Sequence, residues 1–448
     1  MKKNLLSLLL ALVCLFPLTG SAQMNGPAKY VILISVDGMR PDFYLDKKWP
    51  ASTIQQLAAE GLHAKGMRPV NPSVTLPDHT TMITGALPNK HGIYHNQPFG
   101  PAGWNDGAYS HSNQIKVETL WDAVKRAGGT SASLNWPVSM NAPVNWNFRS
   151  YGNRSSNYPE DFVQDIENTL IGKIPTSNSG QSNSDFDGYA SDLRLASVAS
   201  YLIQKHQPNF MTIHFSSTDH AQHEQGREGE KVNRAIATVD VCINQLVEAT
   251  KKAGIYEQTV FVVGGDHGFE DRHTQLAWNS LLIKEGLLEN KPDRGNWKAC
   301  FKDQFLMLKD KNDVATLSRV RKLLEEQPPA IRKLYRIIER AELDQYGTDP
   351  NAVLAVQPVE GVVCTSRYNH PDLVQSTPGG SHGLMPDRKS LNAGFFAFGP
   401  GIRKKAVMPT INMEDIAPLI AFSLGIDFKV PDGVLYPGVI STDLIPGY

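Results

Sequence analysis

Apolar runs and amphipathic segments alternate along this chain. Residues 29–39 (KYVILISVDGM) form a nearly continuous apolar run rich in branched side chains, and residues 209–220 and 258–269 repeat that form. Such runs are typical of strands buried on both faces of a parallel sheet. Between them lie helix-like stretches at 191–206 and 231–254. The alternation predicts an α/β fold with a doubly wound, mainly parallel sheet, to which 392–402 adds a late fourth strand.

Residues 290–366 interrupt this alternation and are predicted to form an inserted α+β subdomain within a catalytic domain spanning 23–448. Residues 297–310 have the pattern of strands, whereas 313–327 and 328–347 have the spacing of amphipathic helices. Two roles remain open for this insertion, a purely structural one and the selection of the leaving group.

The first 22 residues have the pattern of a secretory signal peptide. Two lysines precede a short apolar run, and Gly20-Ser21-Ala22 supplies small residues for cleavage near Ala22. An uncleaved anchor and a lipoprotein signal are the alternatives. No other apolar run is long enough to span a bilayer, so we expect a secreted or periplasmic protein without an integral membrane segment in the mature chain.

The amino-acid composition further narrows the class of protein. Lys and Arg number 44 against 45 Asp and Glu, which gives no global charge bias toward nucleic acid or an anionic membrane. Without the signal peptide three cysteines remain, Cys242, Cys300 and Cys364. In an oxidising compartment they allow one disulfide, for which Cys300–Cys364 is the expected pair. The sequence does not indicate an oligomeric state.

Acidic residues follow three of the predicted strands. Asp37, Asp219 and Asp266 each come directly after an apolar run, at the sheet edge where α/β folds bind ligands. A single such aspartate is more often a turn former or a helix cap. Three together favour a site.

Histidines accompany these aspartates. His223 follows Asp219 by four residues, His267 directly follows Asp266, and His382 stands between glycines in GGSHG. Mixed carboxylate and imidazole ligands suit zinc. His220 is interpreted as a neighbour of this set and not as a ligand.

The segment SVTLPDHTTMITG (73–85) places Thr75 before a Leu-Pro-Asp turn that leads into a predicted helix. Pro77 suits the first helical turn, so free backbone N–H groups are expected near Thr75. Thr75 could cap that helix or act as a nucleophile, and a threonine hydroxyl needs a base or a metal ion to react at neutral pH.

Six motifs together resemble the alkaline phosphatase superfamily and, within it, the type I phosphodiesterase/nucleotide pyrophosphatase family. They occur in the family's order from about residue 29 to the end of the chain, as ISVDGMRPD, SVTLPDHTTMITG, PNKHGIYHN, STDHAQH, VGGDHGF and GGSHG. The resemblance implies an alkaline phosphatase type of fold and hydrolysis of phosphoric diesters or phosphoanhydrides through a covalent phospho-threonine intermediate.

The same resemblance implies two zinc ions and a role for each motif residue. Thr75 is the implied nucleophile and also a metal ligand, and Asn96 donates a hydrogen bond to a phosphoryl oxygen. The ligands of the metal that activates Thr75 are implied to be Asp37, Asp266 and His267. Those of the metal that holds the leaving oxygen are implied to be Asp219, His223 and His382.

The substrate is expected to be a small-molecule phosphodiester. The charges of two zinc ions, three aspartates and a threonine alkoxide roughly cancel, so a dianionic monoester would need an added cation. One monoesterase subgroup supplies a Lys-x-Arg pair where this chain has Leu134-Asn135-Trp136. Trp136-Pro137 instead resembles the aromatic F-W-P of the diesterase branch, which makes Trp136 an expected substrate contact.

Two residues depart from the family pattern. Leu76, expected to contact substrate, replaces a phenylalanine that stacks on a nucleobase, so nucleobase preference is open. Asp78 replaces an asparagine and is expected to cap the following helix, the alternative being that its negative charge slightly disfavours anions. Nucleotides, dinucleotides, nucleotide sugars and lipid or choline diesters all remain possible substrates.

Competing functions are an alkaline phosphatase acting on monoesters, a sulfatase, a metal-independent mutase and a non-catalytic, metal-stabilised binding protein. A sulfatase is disfavoured because threonine cannot become formylglycine and His79 replaces the expected arginine. A mutase would need a phosphoserine or histidine cycle that the sequence does not show.

Overall fold

The structure is a computed structural model that describes residues 24–100, 103–104, 107–148, 164, 166, 188–289, 296–368 and 371–444. The expected signal peptide, residues 1–22, lies outside this range. Within the described range, no helix combines the length and the apolar character that a membrane crossing requires.

The elements are numbered in chain order. The described strands are β1 Tyr30–Val36, β2 Leu62–Arg68, β3 Phe99–Gly100, β4 Gly103–Trp104, β5 Ser131–Leu134, β6 Trp146–Phe148, β7 Phe210–Phe215, β8 Thr259–Gly264, β9 Glu270–Leu276, β10 Ala299–Lys302, β11 Phe305–Leu308, β12 Tyr335–Glu339, β13 Ala352–Pro358, β14 Val362–Cys364, β15 Val374–Ser381, β16 Phe395–Phe398 and β17 Ala406–Asn412. The described α-helices are α1 Asp42–Leu45, α2 Ser52–Glu60, α3 Thr75–Thr84, α4 Pro88–His91, α5 Leu120–Arg126, α6 Gly188–Lys205, α7 Ser217–Gln225, α8 Glu230–Lys252, α9 Trp278–Lys284, α10 Val314–Glu325, α11 Pro329–Arg332, α12 Arg340–Gln345 and α13 Ile416–Leu424.

The central sheet has the strand order β17-β2-β16-β8-β1-β7-β5-β6. The described pairs are parallel except those that β16 makes with β2 and β8. The expected late strand is therefore β16, and it runs antiparallel to its neighbours. The sheet is α/β and mainly parallel, in agreement with the apolar runs of the sequence.

Both faces of the sheet are covered by helices. Alternate residues of β1 point into two separate apolar cores, Ile32 and Ile34 into one and Val31 and Leu33 into the other. The first core packs against α2, α6 and α8, and the second against α3, α5 and α13. Because neither face of β1 meets water, the strand is apolar throughout.

The region predicted as an insertion contains the antiparallel sheet β10-β11-β13-β12. This sheet packs into a third apolar core, which includes Phe301, Leu306 and Ile338 and extends to Trp278 of α9. One sequence prediction is wrong here. The middle of 328–347 is strand β12, in which Ile337 pairs with Val356, and short helices flank it on both sides. Pairing with β13 overrides the local helical spacing.

The expected disulfide is also absent among the described residues. Cys242, Cys300 and Cys364 are free thiols, and burial raises the pKa of each. Cys300 pairs with Met307 inside the four-stranded sheet, whereas Cys364 belongs to β14 of the sheet β14-β9-β15. The two residues are held by different sheets.

Candidate active site

The carboxyl ends of β1, β7 and β8 lie side by side. Val36 pairs with Phe215 and Ser35 pairs with Gly264, so the chain leaves all three strands at the same edge. Asp37 directly follows β1, Asp266 follows β8 with Gly265 between them, and Asp219 lies in the first turn of α7 after β7. Parallel register thus gathers three carboxylates from distant parts of the sequence.

Asp37, Asp266 and His267 form a buried group. The Nε2 atom of His267 lies 3.4 Å from Asp37 Oδ1 and 3.4 Å from Asp266 Oδ2. The other oxygen of Asp266 accepts the N–H groups of Gly38, at 2.9 Å, and of His267, at 3.0 Å. Gly38 has φ +68°, and a Cβ there would come within 2.8 Å of Phe269. This close approach requires glycine.

Asp219, His223 and His382 form a second, half-exposed group. The Nε2 atoms of His223 and His382 lie 3.1 Å apart and 3.3 Å and 3.6 Å from Asp219 Oδ1. His382 follows β15, and its ring stacks on that of His267 with centroids 3.5 Å apart. The two groups are therefore in direct contact.

Backbone carbonyls determine the tautomers of these histidines. The Nδ1 atoms of His223, His382 and His267 face the carbonyl oxygens of Gly380 at 3.2 Å, Ser73 at 2.9 Å and Gly268 at 3.1 Å. A carbonyl only accepts, so each Nδ1 carries the proton and each Nε2 presents a lone pair. These lone pairs converge with carboxylate oxygens, and a cluster of acceptors alone requires a cation.

The unpaired atoms of the buried group support a cation there. Asp37 Oδ1, Asp266 Oδ2 and His267 Nε2 are buried without a hydrogen-bond partner. Burial and the charges of Asp219 and Asp266 raise the pKa of Asp37 well above its usual value. Burial lowers the pKa of His267 to about 4. The residues present fit a metal ion, and the same holds at Asp219, whose Oδ1 also has no hydrogen-bond partner.

The half-exposed group differs from the buried group because it contains a histidine with a raised pKa. Burial lowers the pKa of His223, but the Asp219 carboxylate, whose Oδ1 lies 3.3 Å from His223 Nε2, outweighs burial, and the pKa is raised overall. At His382, burial and the neighbouring His267 lower the pKa to about 3. A proton on His223 can therefore neutralise Asp219, whereas no histidine of the buried group has a raised pKa.

Two buried histidines that the sequence reasoning did not assign lie beside this cluster. His214 Nε2 lies 3.1 Å from Asp37 Oδ2, and His79 Nδ1 lies 2.7 Å from the carbonyl oxygen of Thr75. Together with Asp266 they form a third set of potential metal ligands, but the Nδ1 atom of His79 already donates to Thr75. The available signal was His214 itself, a polar residue within the fully buried strand β7.

Thr75 is the first residue of α3, and Val74 occupies the cap position without a side-chain hydrogen bond. The Oδ1 atom of Asn96 accepts the N–H of Leu76 at 2.9 Å. This bond leaves the Asn96 amide group free to donate from Nδ2. The structure thus brings Thr75, Leu76 and Asn96 together at the start of a helix.

Asp78 does not cap α3, which corrects the sequence prediction. Its side chain is fully buried, and Oδ1 accepts the N–H of Val70 at 2.8 Å. Burial and the charge of Asp266 raise its pKa well above the usual value. Asp78 therefore fixes the segment before α3 instead of the helix terminus.

A cavity of about 610 Å³ opens at this edge of the sheet. Its lining residues are Asp37, Thr75, Leu76, Asn96, Tyr109, Asn135, Pro137, Val138, His214, Ser216, Asp219 and His220. No lysine or arginine occurs among these described lining residues. Tyr109 is an aromatic residue of this lining.

Trp136 does not line this cavity. It is fully buried and its ring packs edge-on against that of His79, with centroids 4.7 Å apart. Its neighbours Asn135 and Pro137 face the cavity instead. A direct substrate contact by Trp136 is not supported, and its position indicates packing behind α3. Arg149 and Arg154, two cationic residues that follow β6 in the sequence, lie outside the described residues.

Comparison with known proteins places this site in a family. Residues 31–385 match the family described as type I phosphodiesterase/nucleotide pyrophosphatase, and the chain belongs to that family. Ectonucleotide pyrophosphatase/phosphodiesterase family member 3 of Rattus norvegicus is 24% identical over 400 residues, which cover 86% of this chain and 41% of the relative. Bis(5'-adenosyl)-triphosphatase of Xenopus laevis is 24% identical over 446 residues, covering 95% of this chain and 84% of the relative.

An uncharacterized pyrophosphatase/phosphodiesterase of Schizosaccharomyces pombe is 27% identical over 274 residues, covering 59% of this chain and 50% of the relative. The chain thus spans half or less of the length of two of these three relatives. Human ectonucleotide pyrophosphatase/phosphodiesterase 5 superposes with a TM-score of 0.66 at 19% identity, covering 90% of this chain and 97% of that one. The chain shares the fold of that structure.

Proposed function

We propose that this protein is a zinc-dependent phosphodiesterase/nucleotide pyrophosphatase that uses Thr75 as its nucleophile. The observation that carries the proposal is the convergence of histidine lone pairs and carboxylate oxygens beside the cavity that Thr75 and Asn96 line. Asp37, Thr75, Asp266 and His267 would hold one ion, and Asp219, His223 and His382 the other. When bound, two zinc ions supply Lewis-acid stabilisation to the attacking and leaving oxygens and favour the alkoxide of Thr75.

Thr75 Oγ1 then attacks the phosphorus atom while the bond from phosphorus to the leaving oxygen breaks. Water hydrolyses the resulting phospho-threonine in a second step. Asn96 Nδ2 would donate to a non-bridging phosphoryl oxygen, because Asn96 Oδ1 is already occupied by Leu76. The N–H of Thr75 donates to no acceptor within the described residues and is a second candidate donor.

The cavity favours a diester or phosphoanhydride substrate over a monoester. Its described lining offers no lysine or arginine for the extra charge of a monoester. The relatives support small nucleotides as the class, since one is named a bis(5'-adenosyl)-triphosphatase and an inactive variant of murine ectonucleotide pyrophosphatase/phosphodiesterase 5 is described in complex with AMP. Tyr109 is the candidate surface for a base, in place of the aromatic ring missing at Leu76.

The test is a substrate screen on the purified, zinc-loaded protein. Nucleotides, dinucleotides, nucleotide sugars and lipid or choline diesters share the reaction and differ only in the groups that must fit the pocket. We expect hydrolysis of bis-p-nitrophenyl phosphate and of at least one nucleotide class, with two zinc ions per chain by mass spectrometry. A protein that binds no metal after zinc reconstitution would contradict the mechanism and favour a non-catalytic binding protein.

Export is part of the proposal and rests on residues 1–22 of the sequence. The test is N-terminal sequencing of the protein recovered from the periplasm or medium. A mature chain that begins near residue 23 supports a cleaved signal peptide, whereas an intact N-terminus contradicts it.

A further inference from the structure

The turn between β10 and β11 of the inserted region reaches the active site. Its residue Asp303 places Oδ2 2.9 Å from Nε2 of His95, and the next residue, Gln304, donates from Nε2 to the carbonyl oxygen of Gly383 at 2.5 Å. His95 directly precedes Asn96, and Gly383 directly follows His382. One turn of the insertion therefore contacts the segments that carry two different site residues.

A continuous series of hydrogen bonds links Asp303 to the start of the nucleophile helix. His95 Nδ1 accepts the backbone N–H of Asn96 at 2.9 Å, so its proton lies on Nε2 and is donated to Asp303. The side chain of Asn96 in turn accepts the N–H of Leu76. Each donor in this series has one acceptor, which fixes both the tautomer of His95 and the orientation of Asn96.

Asp303 is itself held firmly within the insertion. Its other oxygen, Oδ1, accepts the Ser366 hydroxyl at 2.6 Å and the Ser366 N–H at 3.2 Å. The two carboxylate oxygens thus have different partners. Oδ1 binds Ser366 inside the inserted region, and Oδ2 accepts a hydrogen bond from His95 beside the active site. A carboxylate that is hydrogen-bonded through both oxygens is suited to fixing the position of an imidazole.

We infer that Asp303 is a positioning residue that aligns Asn96 through His95, so that the inserted region contributes to phosphoryl transfer without contacting the substrate. This inference rests on the proposed function and adds a task for the insertion. A donor displaced by about 1 Å from a developing charge can lower the rate by up to about a hundredfold. The effect should fall on turnover rather than on substrate binding.

The backbone at Asp303 decides which variants are informative. Its φ is +51°, a left-handed conformation that glycine and asparagine tolerate but alanine does not. Asp303→Gly removes the carboxylate without adding strain. Asp303→Asn keeps an acceptor for the Nε2–H of His95 in nearly the same shape.

Two variants serve as matched controls. Asp344→Asn weakens the ion pair between Asp344 and Arg340 in α12, 2.8 Å long, which does not contact Asp303. Glu339→Gln weakens an exposed ion pair with Arg321, 2.6 Å long, elsewhere in the insertion. If any loosening of the insertion were enough, these controls would lower activity as much as Asp303→Gly.

The experiment is steady-state kinetics with bis-p-nitrophenyl phosphate, together with zinc content and melting temperature for each variant. We expect Asp303→Gly to lower kcat about tenfold with KM changed less than twofold and two zinc ions retained, and Asp303→Asn to restore most of that loss. In a His95→Phe background, Asp303→Gly should have no further effect on kcat.

Three results would overturn the inference: an unchanged kcat for Asp303→Gly, equal losses in Asp303→Gly and Asp303→Asn, or additive losses in the double variant. A wild-type protein that fails to hydrolyse any substrate would instead overturn the proposed function. The wild-type rate and the variant ratios therefore separate the two failures.

Discussion

The two potential metal groups are adjacent but differ in burial. His267 of the buried group is 0% exposed and its partner Asp37 7%, whereas His223 and Asp219 of the half-exposed group are 38% and 20% exposed. The buried group comes from the ends of neighbouring strands and the half-exposed group from a helix and a loop. Burial near the sheet shields one set from water, whereas the other is partly open to solvent. Under the proposed function, the buried set would hold the ion beside Thr75 and the half-exposed set would hold the ion beside the leaving oxygen.

Replacing Thr75 is expected to have the largest effect. Thr75→Ala should lower kcat about 10³-fold or more while zinc content and melting temperature stay near wild type, because the hydroxyl forms no part of the core. Phosphorylated Thr75 should be detectable by mass spectrometry in quenched wild-type reactions. Thr80→Ala is the control, since that hydroxyl donates only to Leu76 within the helix. Near wild-type turnover in Thr75→Ala would mean that water attacks directly.

Removing one carboxylate from each group should separate their roles. Asp219→Asn and Asp37→Asn should each lower activity about a hundredfold and reduce zinc from two ions to one, measured by mass spectrometry. In zinc-free protein their effects on stability should have opposite signs, by about 1–2 kcal/mol. The raised pKa of Asp37 means that its charge destabilises the fold near neutral pH, so Asp37→Asn should raise the melting temperature.

For Asp219→Asn the expected change in the stability of the zinc-free protein has the opposite sign. Burial would raise the pKa of Asp219, but the adjacent imidazole of His223 lowers it overall, so the ionised form stabilises the zinc-free fold above the unfolded pKa. Asp219→Asn should therefore lower the melting temperature. Equal shifts for the two variants would show that the groups respond alike and that burial does not distinguish them.

The choice of substrate tests whether the cavity lacks a cation. Bis-p-nitrophenyl phosphate should have a kcat/KM about tenfold higher than p-nitrophenyl phosphate, because the described lining offers nothing to balance a second negative charge. Both compounds release the same leaving group. A preference for the monoester would indicate an arginine from outside the described residues, and Arg149→Ala or Arg154→Ala should then reverse it.

The smallest effect on the protein is expected for a change at His91, a buried histidine whose two ring nitrogens both have hydrogen-bond partners. His91 Nδ1 accepts the N–H of Ile93 at 3.0 Å and Nε2 lies 3.1 Å from Thr81 Oγ1, unlike His267, whose Nε2 has no partner. Burial lowers the pKa of His91 to about 3. Between that value and its unfolded value of about 6.5, the unfolded chain binds the extra proton, so stability falls as pH falls.

His91→Gln should therefore reduce the pH slope of unfolding free energy in that window by up to about 1.4 kcal/mol per pH unit, measured by urea titration. Zinc content should not change, because His91 lies in neither group. A loss of zinc in this variant would mean that packing around α3 and α4, and not the ligands alone, maintains the metal site.

Several features of the site can be predicted from the sequence because the same geometric rule applies to each parallel strand. Parallel strands end at a shared edge, so residues that directly follow apolar runs, such as Asp37 and Asp266, are close in space whatever their separation along the chain. The position of Thr75 at the first turn of α3 follows in the same way from Pro77 two residues later. The local sequence was enough to predict where these residues lie.

Other features depend on partners that no local pattern specifies. Asp78 has the composition of a cap, yet it accepts the N–H of Val70 because the chain before α3 folds back against it. Asn135 and Trp136 are consecutive residues directly after β5. Only the packing of Trp136 against His79 decides that the tryptophan side chain faces inward. Strand β12 forms because β13 offers it an edge.

By itself, the sequence determined the mainly parallel sheet, the order of the motifs and the residue types able to bind a metal ion. The tertiary structure alone decided that Cys300 and Cys364 remain apart, that His214 contacts Asp37, and that Asp303 reaches His95 across 208 positions of the chain. Backbone pairing and apolar periodicity repeat at short range, so they can be read from neighbouring residues. Contacts between single side chains depend on how separate elements pack, and that information is not local.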